Sequence, residues 1–509
     1  MFRKTIDKNV PLEVVQYLGV GVLVYLYVGL FANSIIDDAM ITSLYAMNLK
    51  DYGMWGLFPG QTSNTATSPL NVVVMATFGF ISNGMVQAIC LMTTAIMLML
   101  LLVLRRLSSL LFNSGFFGWL AFSVILFNPL LVSTIGMESP LYVLLVVFSL
   151  YLFLERRIFL LAVSLALLTM TRLDGGLFFL LMLAYLLFQS TVDNTGGNGA
   201  EEFAFPHRNS VQRAFFFLFF YSLCLLPWFL FSWIHLGSFV PETLFIKIAQ
   251  SWGGLTIMNG WRPYWEHYPG AVYLTIIFLA GLITLPFVYK KKPEKEAICI
   301  LLLFAFAYFA GYALLKVPPY HWYYVPGIIS LLLASVLGVS GWLERRGDRV
   351  KKYVLQVLLV FCPAVGMICL LMGDERIHSG EALIHSNWAS HQQYQEIGTW
   401  LGDNIASGDA VLLRGELGTM AFYSRLYLAD FFSNGEHVAK ILQRKTGLTA
   451  LGTKINFCWW KPPLARKFQY ELISYPNKIT FIDDPLSVKQ WKVHSNWINH
   501  SVLMLRRIK

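Results

Sequence analysis

Ile36-Asp37-Asp38-Ala39-Met40-Ile41-Thr42-Ser43-Leu44-Tyr45-Ala46-Met47-Asn48-Leu49 follows directly on an apolar run that begins at Val14. The run is long enough to cross a bilayer, and Arg3, Lys4 and Lys8 stand before it. It is too long for a signal-peptide core, and no small-residue cleavage site precedes the acidic pair, so it reads as a retained first span. Two adjacent carboxylates at that depth are costly unless they bind or react with something. The pair therefore opens a polar loop that is a candidate site. A plainer reading stands beside it: one Asp caps the helix that follows and the other is solvated.

Working outward, the chain is 56% hydrophobic and 13% charged. Soluble domains sit nearer 45–50% apolar and about 25% charged, so the fold class is an α-helical polytopic membrane protein. The net charge of +10 does not point to nucleic acid, because the basic residues are grouped. Arg105-Arg106, Arg156-Arg157, Lys290-Lys291-Lys292 and Arg345-Arg346-Arg349-Lys351-Lys352 lie at alternate ends of apolar runs, which is the positive-inside pattern. Eleven spans are expected, near 14–36, 85–104, 115–134, 140–155, 158–172, 175–189, 214–235, 270–289, 297–315, 326–343 and 353–372. The short ones suggest a protein-lined cavity. Outside loops before residue 373 then carry only Lys50, Arg172, Lys247, Arg262 and Lys316. The N-terminus is expected in the cytoplasm and the C-terminus outside. Pro69 to Ser82 is apolar but short, and a crossing there would misplace every later basic cluster, so it reads as an interfacial helix. The stretch near 190–212 has the composition of a mobile linker.

Composition turns polar at about Gly373. Two domains are expected, a transmembrane part at 1–372 with an outer loop at 37–84, and a small extracytoplasmic α/β domain at 373–509. In the latter, Gln395–Ile405 reads as a helix, and Ala410–Leu413, Lys478–Ile482 and Ser501–Leu505 as strands, the last closed by Arg506-Arg507. Of six cysteines, Cys90, Cys224, Cys299, Cys362 and Cys369 fall in apolar spans and are expected as buried small hydrophobes. Only Cys458 lies in the polar part, so no disulfide framework or Cys-based metal site is implied.

Four segments, in order and on one face, resemble the GT-C class of membrane glycosyltransferases, in particular its bacterial arabinofuranosyltransferase-like branch. The first is the Asp37-Asp38 helix with Phe58-Pro59-Gly60 and Thr67-Ser68-Pro69-Leu70, departing from the family at Phe58 and Ser68, where Asn is commoner. The others are Gly136-Met137-Glu138-Ser139-Pro140-Leu141, Thr171-Arg172-Leu173-Asp174-Gly175, and the pair Glu396-Ile397-Gly398 with Gly415-Glu416-Leu417-Gly418. The resemblance implies a GT-C fold in a bacterial inner membrane, a polyprenyl-phosphate sugar donor and inverting transfer. A pentofuranose such as arabinofuranose is implied as the sugar.

The chemistry can also be read from the residues. Transfer from a lipid-phosphate sugar needs a base for the acceptor hydroxyl, and Asp37 or Asp38 would serve, Asp37 first. The leaving phosphate is a stable anion, so cations rather than an acid are needed; Arg172 and Lys247 are the candidates. Arg172 could equally pair with Asp174 or Glu138, and Lys247, in Pro241-Glu242-Thr243-Leu244-Phe245-Ile246-Lys247, could snorkel from an interfacial helix. Glu138 and Asp174 are further candidates for substrate hydroxyls, although Glu138 could simply cap the helix before Pro140. In Pro318-Pro319-Tyr320-His321-Trp322-Tyr323-Tyr324, His321 and Tyr323 are candidates for sugar contact against the background of an interface belt. No cofactor or metal is expected; Asp37 and Asp38 alone offer oxygen ligands for one divalent ion. The acceptor could be a glycan, a lipid or a protein. A secondary transporter or flippase is the alternative, requiring paired charges near the midplane.

Overall fold

The computed structural model describes residues 10–193, 210–250, 252–287, 292–346, 348–374, 380–430, 432–433, 435–443, 448–461 and 466–508. Most of the expected linker at 190–212, the N-terminal basic residues, and Lys290 and Lys291 lie outside them. Twenty α-helices are described: α1 (Val10–Gly29), α2 (Asp37–Tyr52), α3 (Pro69–Gly79), α4 (Met85–Phe112), α5 (Phe116–Leu126), α6 (Pro129–Val132), α7 (Ser139–Leu154), α8 (Ile158–Thr171), α9 (Gly175–Asp193), α10 (Ser210–His235), α11 (Glu242–Ala249), α12 (Trp261–His267), α13 (Pro269–Ile276), α14 (Lys292–Leu315), α15 (Val325–Glu344), α16 (Arg349–Met372), α17 (His391–Asn404), α18 (Gly418–Ser424), α19 (Gly435–Gln443) and α20 (Leu448–Asn456). A 3-10 stretch, Ile277–Phe287, continues α13.

Six helices among the described residues are long and apolar enough to cross a membrane. These six and five of the six shorter apolar helices coincide with the eleven expected spans. The sixth short helix is α3, at the place expected for the interfacial helix. Two spans are shorter than expected. The first stops at Gly29, where Leu30 to Ser34 form a turn. The third breaks at Asn128-Pro129: the proline has no N–H and clashes with the preceding turn, and the Asn128 side chain accepts from the Leu130 and Leu131 N–H groups. Cysteine burial departs from expectation. Cys90 is buried and Cys224 half-buried, but Cys299, Cys362 and Cys369 are exposed on the outer surface of their helices. An apolar side chain on a span is stable facing lipid as well as facing protein.

The C-terminal part folds around one five-stranded sheet, order β2-β1-β3-β5-β4, with β1 (Ala410–Leu413), β2 (Tyr427–Ala429), β3 (Tyr470–Pro476), β4 (Ser487–Ser495) and β5 (Asn499–Arg507). β1 pairs in parallel with β2 and β3, while β5 runs antiparallel between β3 and β4. The strand expected at Lys478–Ile482 is a loop. Asn477, with φ of 60°, ends β3, and the Gln490 side chain takes both the N–H and the C=O of Ile482, at 2.8 and 2.7 Å, so that backbone has no need of a neighbouring strand. α17 starts earlier than expected because Ser390 and Gln393 form a reciprocal capping box. One apolar core runs from Tyr45 and Phe117 in the bundle to Ile397, Leu428 and Leu505 under the sheet. The two parts therefore share one apolar core.

Candidate active site

The Asp37-Asp38 pair divides at once. Asp37 is 4% exposed, and its carboxylate caps a helix other than its own. Its Oδ2 accepts from the N–H groups of Leu417 and Gly418 at 2.9 and 2.8 Å, and Oδ1 from that of Thr419 at 2.7 Å. These are the N-terminal donors of α18, left over because a helix cannot satisfy its own first turn. The contact requires a glycine: a Cβ on Gly418 would lie 2.1 Å from the Asp37 carbonyl oxygen. Burial, with a smaller push from the Asp38 charge, raises the Asp37 carboxyl to about 6, against the pull of the three N–H groups.

Asp38, one residue on, points into a cavity of about 790 Å³ between the bundle and the sheet domain. Its side chain is 33% exposed and stands 3.6 Å from the ammonium of Lys247. Lys247 projects from α11, held in place by its neighbours: the Glu242 N–H donates to the Asn64 carbonyl at 3.2 Å, and the Thr243 hydroxyl to the Thr65 carbonyl at 3.0 Å. Its ammonium lies 5.0, 5.3 and 5.8 Å from the rings of Tyr320, Trp322 and Tyr323, close enough for cation–π attraction. Desolvation favours the neutral amine there, but Tyr323, Asp38 and Tyr320 outweigh it and hold Lys247 charged.

Arg172 is fully engaged. It donates to Glu138 at 2.9 Å and to Asp174 at 2.7 Å through separate nitrogens, and to Tyr312 at 2.8 Å. The Tyr312 hydroxyl in turn donates to Asp174 at 2.6 Å. Both ion pairs open from sequence thus form together. The turn from Arg172 to Gly175 folds Asp174 back on the guanidinium, while Gly136, with φ of 86°, turns Glu138 toward it from the other side. Glu138 makes no side-chain capping bond. With its fork taken, Arg172 presents little free charge to the cavity it lines. Arg172→Lys keeps the charge but cannot span these partners; we expect roughly 1–3 kcal/mol lower stability, read as a fall in melting temperature.

The remaining wall comes from the sheet domain: Asn387, Trp388, Arg414, Glu416, Asp430 and Trp497. Glu416 accepts from the Trp388 N–H at 3.1 Å and from the Tyr394 hydroxyl. Burial and the nearby Asp37 charge push it up to about 8. Tyr323 lines the cavity; His321 does not. His321 is fully buried, beside Tyr264 and Trp322, and burial lowers it to about 3. It is therefore displaced from the role of sugar contact: Tyr320, Trp322 and Tyr323 line the cavity, while the His321 ring is packed into the core.

No protein-family profile and no curated protein sequence matches the chain. Solved structures do. ArnT from Cupriavidus metallidurans in the apo state superposes with a TM-score of 0.57 at 13% identity, over 97% of this chain and 98% of that one. Its undecaprenyl phosphate complex gives 0.51 at 12% over 98% of each. The apo oligosaccharyltransferase of Archaeoglobus fulgidus gives 0.52 at 12%, over 90% of this chain and 69% of that one. The chain has the GT-C fold.

Within this GT-C fold, several cavity residues carried no mark in the sequence. Tyr312, with Tyr308 one turn before it, sits inside an apolar span, and only their i, i+4 spacing near its end hinted that the two hydroxyls share a face. Glu416 belongs to a quoted motif, yet nothing local said that its carboxyl would meet the first loop. Trp388 and Asn387 carried no signal at all.

Proposed function

We propose that the chain is an inverting glycosyltransferase that moves a sugar from a polyprenyl phosphate to an acceptor hydroxyl, with Asp38 as the base. The observation that carries this reading is the Asp38–Lys247 ion pair in the cavity: a part-exposed carboxylate and an ammonium that face the same open space. ArnT, of like fold, binds undecaprenyl phosphate, which supports a lipid-linked donor.

In this scheme the donor phosphate competes with Asp38 for Lys247. Once the ammonium turns to the phosphate, Asp38 is released to accept the proton of the acceptor hydroxyl. The acceptor oxygen attacks the anomeric carbon, the bond from that carbon to the phosphate oxygen breaks, and the lipid phosphate departs against Lys247. Attack opposite the leaving group inverts the anomeric centre. Glu138, Asp174 and Tyr323 would orient the sugar, with Arg172 holding the two carboxylates in place. A bacterial inner membrane is proposed from the sequence resemblance, and the sheet domain on its periplasmic side from the basic-residue pattern. A pentofuranose is proposed as the sugar from the sequence resemblance alone.

Mass spectrometry of envelope glycans and polyprenyl-phosphate sugars from wild-type and deletion cells tests this reading. Loss of one sugar increment, with its lipid-linked donor accumulating, is expected. An unchanged glycan profile would favour the transporter or flippase alternative. Lys247→Met should raise the KM for donor about 10–100-fold, the loss of one charge-assisted contact. An unchanged KM would remove Lys247 from the phosphate site.

A further inference from the structure

α20 and the turn after it carry an apolar stripe that nothing among the described residues covers. Leu451, Ile455 and Trp459 recur every four residues and are exposed by 57, 56 and 60%. Such a face is unfavourable in water, and its position shows what it meets instead. The Trp233 indole N–H, in the last turn of α10, donates to the Ile455 carbonyl at 3.0 Å. Just beyond that span, the Val240 N–H donates to the Asn456 side-chain oxygen at 2.7 Å, and the Asn456 amide donates to the Val240 carbonyl at 3.2 Å. α20 is thus pinned at the depth where spans end and tryptophans anchor. Around that span end, Phe231, Ile234 and Phe239 are themselves 40, 56 and 40% exposed, so the stripe prolongs a surface that already faces lipid. Lys454 and Lys461 are exposed beside it, placed to reach anionic headgroups while the apolar face sinks.

We propose that α20 is an interfacial foot of the sheet domain, with its Leu451–Ile455–Trp459 face set among the acyl chains of the leaflet on that side. The foot also steadies the 236–243 loop, and through it α11. The inference does not depend on the glycosyltransferase reading.

The test uses the full chain with its native cysteines replaced, in nanodiscs of phosphatidylethanolamine and phosphatidylglycerol. Ile455→Cys and, in the exposed loop before β4, Phe481→Cys are spin-labelled, and relaxation by oxygen is compared with relaxation by a water-soluble nickel chelate. Oxygen should dominate at 455 and nickel at 481. Nickel access at 455 equal to that at 481 overturns the proposal, as does a label at 455 reached by neither, which would mean a protein partner or a second copy covers it. Independently of labelling, brominated lipids should quench the wild-type chain more than Trp459→Phe. Equal quenching would also overturn it.

Discussion

Asp38→Asn is expected to lower the transfer rate roughly 10²–10⁴-fold, the usual contribution of a positioned general base, at nearly wild-type stability. Asp38 has a partly exposed side chain whose one ionic partner among the described residues is Lys247, so losing its charge strands no buried donor except that ammonium, which the open cavity can hydrate. Transfer measured in proteoliposomes loaded with donor lipid, beside a melting curve, separates chemistry from folding. Wild-type rates from Asp38→Asn would remove it as the base.

Asp37→Ala is expected to do the reverse: to unseat the sheet domain. Three buried N–H groups lose their acceptor together, at roughly 1–3 kcal/mol each before any water moves in. A total on the order of 4 kcal/mol is a large share of a domain's stability. Lower melting temperature and faster proteolysis of the C-terminal domain are the readouts. Asp37→Asn should fall between, because one amide oxygen can still serve two of the donors while its NH2 opposes the third. Gly418→Ala attacks the same contact from the other side and should resemble Asp37→Ala, since the added carbon collides with the Asp37 carbonyl. If Asp37→Asn abolished transfer with the domain intact, Asp37 and not Asp38 would be the base. Loss of activity in Asp37→Ala would by itself decide nothing, because the sheet domain supplies Trp388 and Glu416 to the cavity.

The two aspartates show why a linear reading stops where it does. Sequence placed both at the end of the first span and weighed a helix cap against catalysis. The cap is present, on Asp37, but the capped helix begins at Gly418, some 380 positions away, and Asp38 is left facing the cavity. Local spacing cannot announce such a partner. For Arg172 the nearer alternatives could be named, because Asp174 lies two residues on and Glu138 shares its face; that both bind at once, with Tyr312 closing the ring, required three helices to meet. His321 fails for a related reason. A run of seven mixed aromatic and polar residues does not reveal which side chains face a cavity until the turn has a direction.

The chain's own order of residues was sufficient for the eleven apolar helices, the short helix at Pro69–Gly79, the change of character near Gly373 and the GT-C resemblance. All of these rest on hydrophobic length, charge distribution and short motifs, which act along the chain at short range. Which carboxylate caps a remote helix, which cation pairs with the other carboxylate and which helix face is left exposed came only from the packed structure. A carboxylate becomes a cap or a base according to the donors that reach it, and those donors arrive from remote parts of the chain.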